Sequence, residues 1–254
     1  MDSAVESTRS FGDEEGRVNG KVAAILGVGP GLGAAIARRF AQEGFAVGLM
    51  ARTEESLSAT QEKVEGAGGQ TLAVQADAMD ASSVASAFEE MRGSLGDPEV
   101  FVYNTGAFRM GGILKVSPED FDSCFRANCS GAFYGAREVL PAMLERGRGT
   151  ILLTGATASL RGSANFAALA TGKFGLRALA QSMAREFGPQ GIHVAHIIID
   201  GQINTPRVRE MSPDREEYTM LSPDAIAETY WRLYTQDPTA WTLEADLRPA
   251  VESF

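Results

Sequence analysis

A chain of 254 residues with 44% apolar and 22% charged residues carries enough apolar material for a full core, which excludes disorder of the whole. Nothing in its middle reads as a linker, so one α/β domain is expected over residues 20–254. The net charge of −10 argues against a surface that neutralises a nucleic-acid backbone, and no apolar run approaches the roughly 20 residues that span a bilayer.

The first nineteen residues, MDSAVESTRSFGDEEGRVN, are polar and acidic, unlike a secretory leader or an acid-poor transit peptide, and read as a disordered tail. From residue 21 onward, short β-type runs alternate with longer helical patterns. Strands are expected at 21–27, 45–51, 70–76, 99–104, 149–155 and 192–199, with a shorter seventh in 241–247. Helices are expected at 32–44, 54–67, 80–94, 117–146, 164–188 and 223–236. Because crossovers are right-handed, this alternation predicts a Rossmann-type, doubly wound parallel sheet of order 3-2-1-4-5-6-7 with helices on both faces. Ligands on such a sheet bind beyond the carboxyl ends of the strands, at the switch between strands 1 and 4.

Strand 1 runs into Gly27-Val28-Gly29-Pro30-Gly31-Leu32-Gly33, a glycine-rich turn that opens a helix directly after a strand. Gly27 permits the tight turn, Gly31 lets backbone approach a pyrophosphate, and Gly33 allows close helix packing. The helix N-terminus beginning at Leu32 attracts the anion. The end of strand 2, Val47 to Thr53, holds no carboxylate for adenosine ribose hydroxyls but offers Arg52, whose guanidinium suits a 2′-phosphate. NADP(H) is therefore expected over NAD(H).

Together with Asp77 after strand 3 and Tyr103-Asn104-Thr105-Gly106 after strand 4, these features resemble the short-chain dehydrogenase/reductase superfamily over roughly residues 20 to 247. The resemblance implies that Asp77, Asn104 and Gly106 hold the adenine side and brace the sheet. It also implies that Asn128 helps to hold a proton-relay water, and that Lys173 donates to the nicotinamide ribose. After strand 6, Asp200-Gly201-Gln202-Ile203-Asn204-Thr205 replaces the family's Pro-Gly turn, with Ile203 placed to meet the carboxamide and Thr205 near phosphate. The DG turn and the later WTLEADLRP look like a divergent subgroup.

Two of the family's four catalytic positions are altered. In the helix at 164–188, positions 169 and 173 lie on one face about 5–6 Å apart at Cβ. The family places there a tyrosine whose phenol trades a proton while the lysine favours phenolate. Here the position is Leu169, and the serine position thirteen residues earlier is Ala156. A related enoyl reductase pattern would put its tyrosine at Phe166. A general acid contributes typically 10²–10⁴-fold, or roughly 3–5 kcal/mol of barrier, so its loss leaves room for a slow catalyst. Substitutes are Thr157, expected to orient a substrate oxygen, a water held by Asn128 and Lys173, or Tyr103 and Tyr134 if the fold brings them near.

Cys124 and Cys129 form no CxxC pattern, and no disulfide framework is expected, with the reducing cytoplasm as the default location. His193 and His196 sit three apart in a strand, on opposite faces, so no metal site is expected. Segment 200–222 lacks a clear period and reads as a substrate lid or as a solvated charged loop. A homodimer or homotetramer is what the resemblance implies, through the long helices and the last strand. The run Phe166, Leu169, Phe174 and Leu176 suits an interface or the core. Three functions stay open: an NADP(H)-dependent oxidoreductase, a non-catalytic NADP(H) sensor or scaffold, and a lyase or isomerase reusing the pocket.

Overall fold

The computed structural model describes residues 21–252, so the acidic tail expected over 1–19 lies outside the described residues. All seven expected strands form: β1 (Val22–Leu26), β2 (Ala46–Ala51), β3 (Gln70–Gln75), β4 (Val100–Tyr103), β5 (Gly149–Thr154), β6 (Ile192–Ile199) and β7 (Glu244–Leu247). They pair in parallel in the order β3-β2-β1-β4-β5-β6-β7. β1, β2, β4, β5 and β6 are buried along their whole length, as unbroken apolar strands must be when both sheet faces are covered. The edge strands β3 and β7 are partly exposed and carry Gln70, Gln75, Glu244 and Asp246, which also explains the weak sequence signal of the seventh strand.

Helices cover both faces. α1 (Leu32–Gln42), α2 (Glu54–Glu65) and α8 (Pro223–Tyr234) pack one core around Ile36, Phe40, Leu57 and Tyr230. α3 (Ala81–Leu95), α5 (Gly131–Arg146) and α6 (Ala167–Phe187) pack the other around Phe88, Phe101, Met143 and Leu176. Burying one such side chain stabilises by about 1.5–3 kcal/mol. The helix starts follow local chemistry. Thr53 accepts from Ser56 N at 3.3 Å to cap α2, and Asp80 accepts from Ser82 N at 2.8 Å to cap α3, where the expected helix included it.

The sequence pattern predicts one helix over 117–146. The structure divides it into α4 (Pro118–Phe125), a wide π-turn over Arg126–Ser130, and α5. The Tyr103 hydroxyl, reaching up from β4, donates to Ala127 O at 2.7 Å inside that turn. Gly131 follows it because a Cβ there would come within 2.4 Å of the same hydroxyl. The helix expected from 164 begins later, since Asn165 has φ +69, a left-handed conformation that Asn tolerates better than most residues. Segment 200–222 holds more structure than its pattern suggests. α7 (Pro206–Met211), capped by Thr205, is too short to show a period, and Ile203 bridges Leu221.

Candidate functional site

At the carboxyl end of β1, Gly27 adopts φ +106, and a Cβ there would sit 2.5 Å from Thr105 N. Only glycine lets this turn pass beneath the turn after β4. Asn104 braces the junction: its Nδ2 donates to Gly27 O at 2.9 Å, and its Oδ1 accepts from Thr154 Oγ1 at 3.1 Å. No side chain caps α1 at Gly31, and its first turn holds no acid, so the positive end of an eleven-residue helix stays open to an anion. Gly33 keeps that helix close, since a Cβ would lie 2.8 Å from Gly27 O. Gly31 abuts the loop after β6, its absent Cβ 2.6 Å from Thr205 Cγ2, so Thr205 and the glycine-rich turn are neighbours.

A cleft of about 230 Å³ opens beside this turn, lined by Gly27, Val28, Arg52, Thr53, Asn104 and Gly106 among others. Arg52 is exposed, and its carbonyl is held by Gln75 Nε2 at 2.7 Å. Asp77 falls outside this cleft. Ala76 and Ala78 line the cleft, whereas Asp77 lines an adjoining cavity and its Oδ1 accepts from Met79 N at 2.9 Å.

Lys173, on α6, is 6% exposed and donates from Nζ to Thr154 O at 2.7 Å. Burial lowers its pKa to about 8, against a smaller opposing pull from Cys124 and Cys129. The π-turn delivers Asn128 to the same place: its Nδ2 donates to Ala107 O at 2.8 Å and Cys124 O at 2.9 Å. Its buried Oδ1 has no partner among the described residues. A Cβ at Gly106 would lie 3.3 Å from Asn128 Oδ1 and 3.9 Å from Lys173 Nζ, so all three meet at the edge of the glycine-rich cleft. An orphaned acceptor beside a buried ammonium and a glycine floor accommodates a polar group such as a ribose hydroxyl or a water.

Next to it lies a cavity of about 450 Å³ whose wall includes Ala156, Thr157, Phe166, Leu169, Phe108 and Gln202. Ala156 and Leu169, where the resemblance leads one to expect a serine and a tyrosine, therefore both face it, and no tyrosine lines it among the described residues. Tyr103 is fully buried in the core beneath the π-turn, where burial holds its phenol well above the usual range, and is no substitute acid. Tyr134 packs against the same core and beside Phe133, likewise away from the cavity. Thr157 does line the cavity, but its hydroxyl proton is engaged with Asp200 Oδ1. Segment 200–222 supplies part of the wall through Gly201, Gln202 and Arg215, while its charged residues Arg207, Glu210, Asp214, Glu216 and Glu217 are exposed. The two histidines diverge, His193 stacking on Trp241 at 4.9 Å and His196 facing Glu244 at 3.2 Å.

Sequence reasoning gave no role to Thr105, Phe108, Arg161 or Arg215, all of which line one cleft or the other. Only their position after a strand end offered a signal.

Comparison with known proteins agrees with this geometry. The family description "short chain dehydrogenase" matches residues 21–216. Versicolorin reductase 1 of Aspergillus parasiticus is 32% identical over 216 residues, covering 83% of this chain and 82% of its own. A short-chain dehydrogenase from Rhodopseudomonas palustris superposes with a TM-score of 0.78 at 39% identity, covering 90% of this chain and 98% of its own. A metagenomic short-chain oxidoreductase in complex with NADP superposes with a TM-score of 0.78 at 27% identity, covering 91% and 98%.

Proposed function

Because the chain belongs to the short-chain dehydrogenase family, we propose that it is an NADP(H)-dependent oxidoreductase acting on a small carbonyl or alcohol substrate in the cavity beside Leu169 and Ala156. The observation that carries this reading is the meeting of Lys173, Asn128 and Gly106 at the edge of the glycine-rich cleft. Gly27, Gly31, Leu32 and Gly33 would hold the pyrophosphate, helped by Thr205. Arg52 would take the 2′-phosphate, a bidentate role that lysine could not fill as well. Asn104 and Gly106 would shape the floor, and Asp77 would brace the adenine side through its turn. Ile203 would meet the carboxamide, and Lys173 the nicotinamide ribose.

A bound nicotinamide supplies or removes hydride. The chain's own contribution is to hold the substrate oxygen and manage its proton, through Thr157 and through a water shared by Asn128 and Lys173. With apolar Leu169 and Ala156 in the wall, positioning carries more of the rate than acid catalysis does. Phe133 and Phe174, exposed on α5 and α6, support a homodimer or homotetramer built on these helices, and the cytoplasm is its proposed location.

The same two apolar positions favour a second reading, an NADP(H)-binding sensor or scaffold without turnover. Fluorescence titration of ligand-free protein with NADPH and with NADH tests the common premise. Micromolar NADPH binding, at least about tenfold tighter than NADH and reversed in preference by Arg52→Asp, is expected. Binding of neither nucleotide would sink both readings; binding with no turnover on any carbonyl or alcohol would leave the sensor.

A further inference from the structure

Asp200 stands at the end of β6 where the family's turn carries proline, and it is only 5% exposed. A carboxylate withdrawn from water is costly unless paired. Its Oδ2 lies 3.4 Å from Arg248 Nη1, while the same guanidinium also serves Asp246. Its Oδ1 accepts the hydroxyl proton of Thr157, 43 residues away in sequence. Thr157 lines the cavity with Ala156 and Leu169, whereas Asp200, buried and bonded to the Thr157 hydroxyl, is not part of that lining.

The direction of that hydrogen bond has a chemical consequence. A threonine hydroxyl has one proton and two lone pairs. With the proton committed to a carboxylate that can only accept, Thr157 offers the cavity lone pairs alone. A carbonyl oxygen, itself an acceptor, gains nothing from that face, whereas an alcohol can donate into it. We propose that Thr157 and Asp200 form a proton-accepting pair that binds a secondary alcohol in preference to its ketone and takes the alcohol's proton when it is oxidised. The inference rests on the oxidoreductase reading above and names the pair that replaces the missing tyrosine as proton acceptor.

The step balances. The carbinol C–H bond breaks and its electron pair leaves as hydride to the oxidised nicotinamide of NADP+. The alcohol O–H proton passes to Thr157 Oγ1 as the Thr157 proton passes to Asp200 Oδ1. The carbon–oxygen double bond of the ketone forms; the alcohol is oxidised and NADP+ is reduced. Thr157 touches the substrate, and Asp200 acts through it as a positioning residue and final proton acceptor.

The test compares a matched pair of apolar probes, 1-indanol and 1-indanone, first by equilibrium binding to the cofactor-free protein followed by NMR titration. Wild type should bind the alcohol about fivefold tighter than the ketone, the worth of one hydrogen bond. Thr157→Val should abolish the preference and Thr157→Ser should keep it. Asp200→Asn should invert it. The amide oxygen stays on Arg248 and the amide NH₂ faces Thr157, which turns the threonine proton toward the cavity. A merely structural Asp200 would not produce that inversion, and NADPH titration of each variant reports whether its fold is intact. Oxidation of 1-indanol by wild type with NADP+, reduced about 100-fold or more in Asp200→Asn, completes the expectation. Equal affinity for the two probes, absence of probe binding, or a preference unchanged in Asp200→Asn overturns the proposal, as does probe binding without oxidation by wild type. Because the binding arm uses no nucleotide, failure of the pair is separable from failure of the nucleotide site.

Discussion

Burial works against the charge on Lys173. Its pKa falls from 10.5 to about 8 chiefly because desolvation disfavours the ammonium. An unfolded lysine keeps its proton to about pH 10.4, so between about 8 and 10.4 the unfolded state binds more protons and stability rises with pH. That contribution is complete above the unfolded value and is lost as pH falls through about 8. Methionine can occupy the same channel uncharged. Lys173→Met should therefore melt higher than wild type at neutral pH by the equivalent of about 1–3 kcal/mol, with the gap closing toward pH 10.5, while NADPH affinity falls about tenfold or more. Thermal melts at three pH values check this; a variant less stable than wild type at neutral pH would mean that the 2.7 Å bond to Thr154 O outweighs the buried charge. At this scale the sequence was legible where the family resemblance supplies a motif to count from: it puts Leu169 four residues before Lys173 on α6 and Ala156 thirteen residues before Leu169. The partnership of Thr157 with Asp200 was not legible, because it joins residues 43 apart through a tertiary contact.

The π-turn between α4 and α5 shows how an element can be set from outside itself. Its sequence, RANCS, has no helix breaker, and a helical period runs through it. The turn widens where the Tyr103 hydroxyl meets Ala127 O and where Gly172 of α6 leaves room for Asn128, whose Cβ would lie 2.7 Å from a Cβ there. Such wide turns recur at functional sites because they re-aim one side chain. Here the side chain is Asn128, whose Oδ1 is brought beside Gly106, where Lys173 Nζ also ends. Tyr103→Phe leaves a buried carbonyl without its donor and should cost about 1–3 kcal/mol, seen as a lower urea midpoint with an unchanged slope. A midpoint equal to that of wild type would mean that the turn holds without the phenol. The strands were readable because each is a short apolar run between turn residues; the π-turn, the late start of α6 and the six-residue α7 were not. Each depends on a contact or a single backbone angle rather than on a period.

Across the whole molecule, the proposed nucleotide track joins parts distant in sequence: the turn after β1, Arg52 after β2, Gly106 after β4, Lys173 on α6 and Thr205 before α7. Order β3-β2-β1-β4-β5-β6-β7 gathers these at one edge of the sheet, which the strand alternation predicts. It does not predict the side chains that close the edge, since Gly31 against Thr205 is a fit of surfaces. A ligand that touches all five segments binds only the folded chain, so its binding energy adds to stability. At 100 times its dissociation constant NADPH should contribute about 2.7 kcal/mol, or about 5–10 °C in Tm for a domain of this size. NADH at the same concentration, bound tenfold more weakly, contributes about 1.4 kcal/mol and a shift about half as large. If Arg52 reads the 2′-phosphate, Arg52→Asp should reduce the NADPH shift to the NADH value or below while leaving the ligand-free Tm unchanged, because Arg52 is exposed at the cleft rim. Equal shifts from both nucleotides in wild type would place the discrimination elsewhere, and a lowered ligand-free Tm in the variant would mean that Arg52 supports the end of β2 rather than the cofactor.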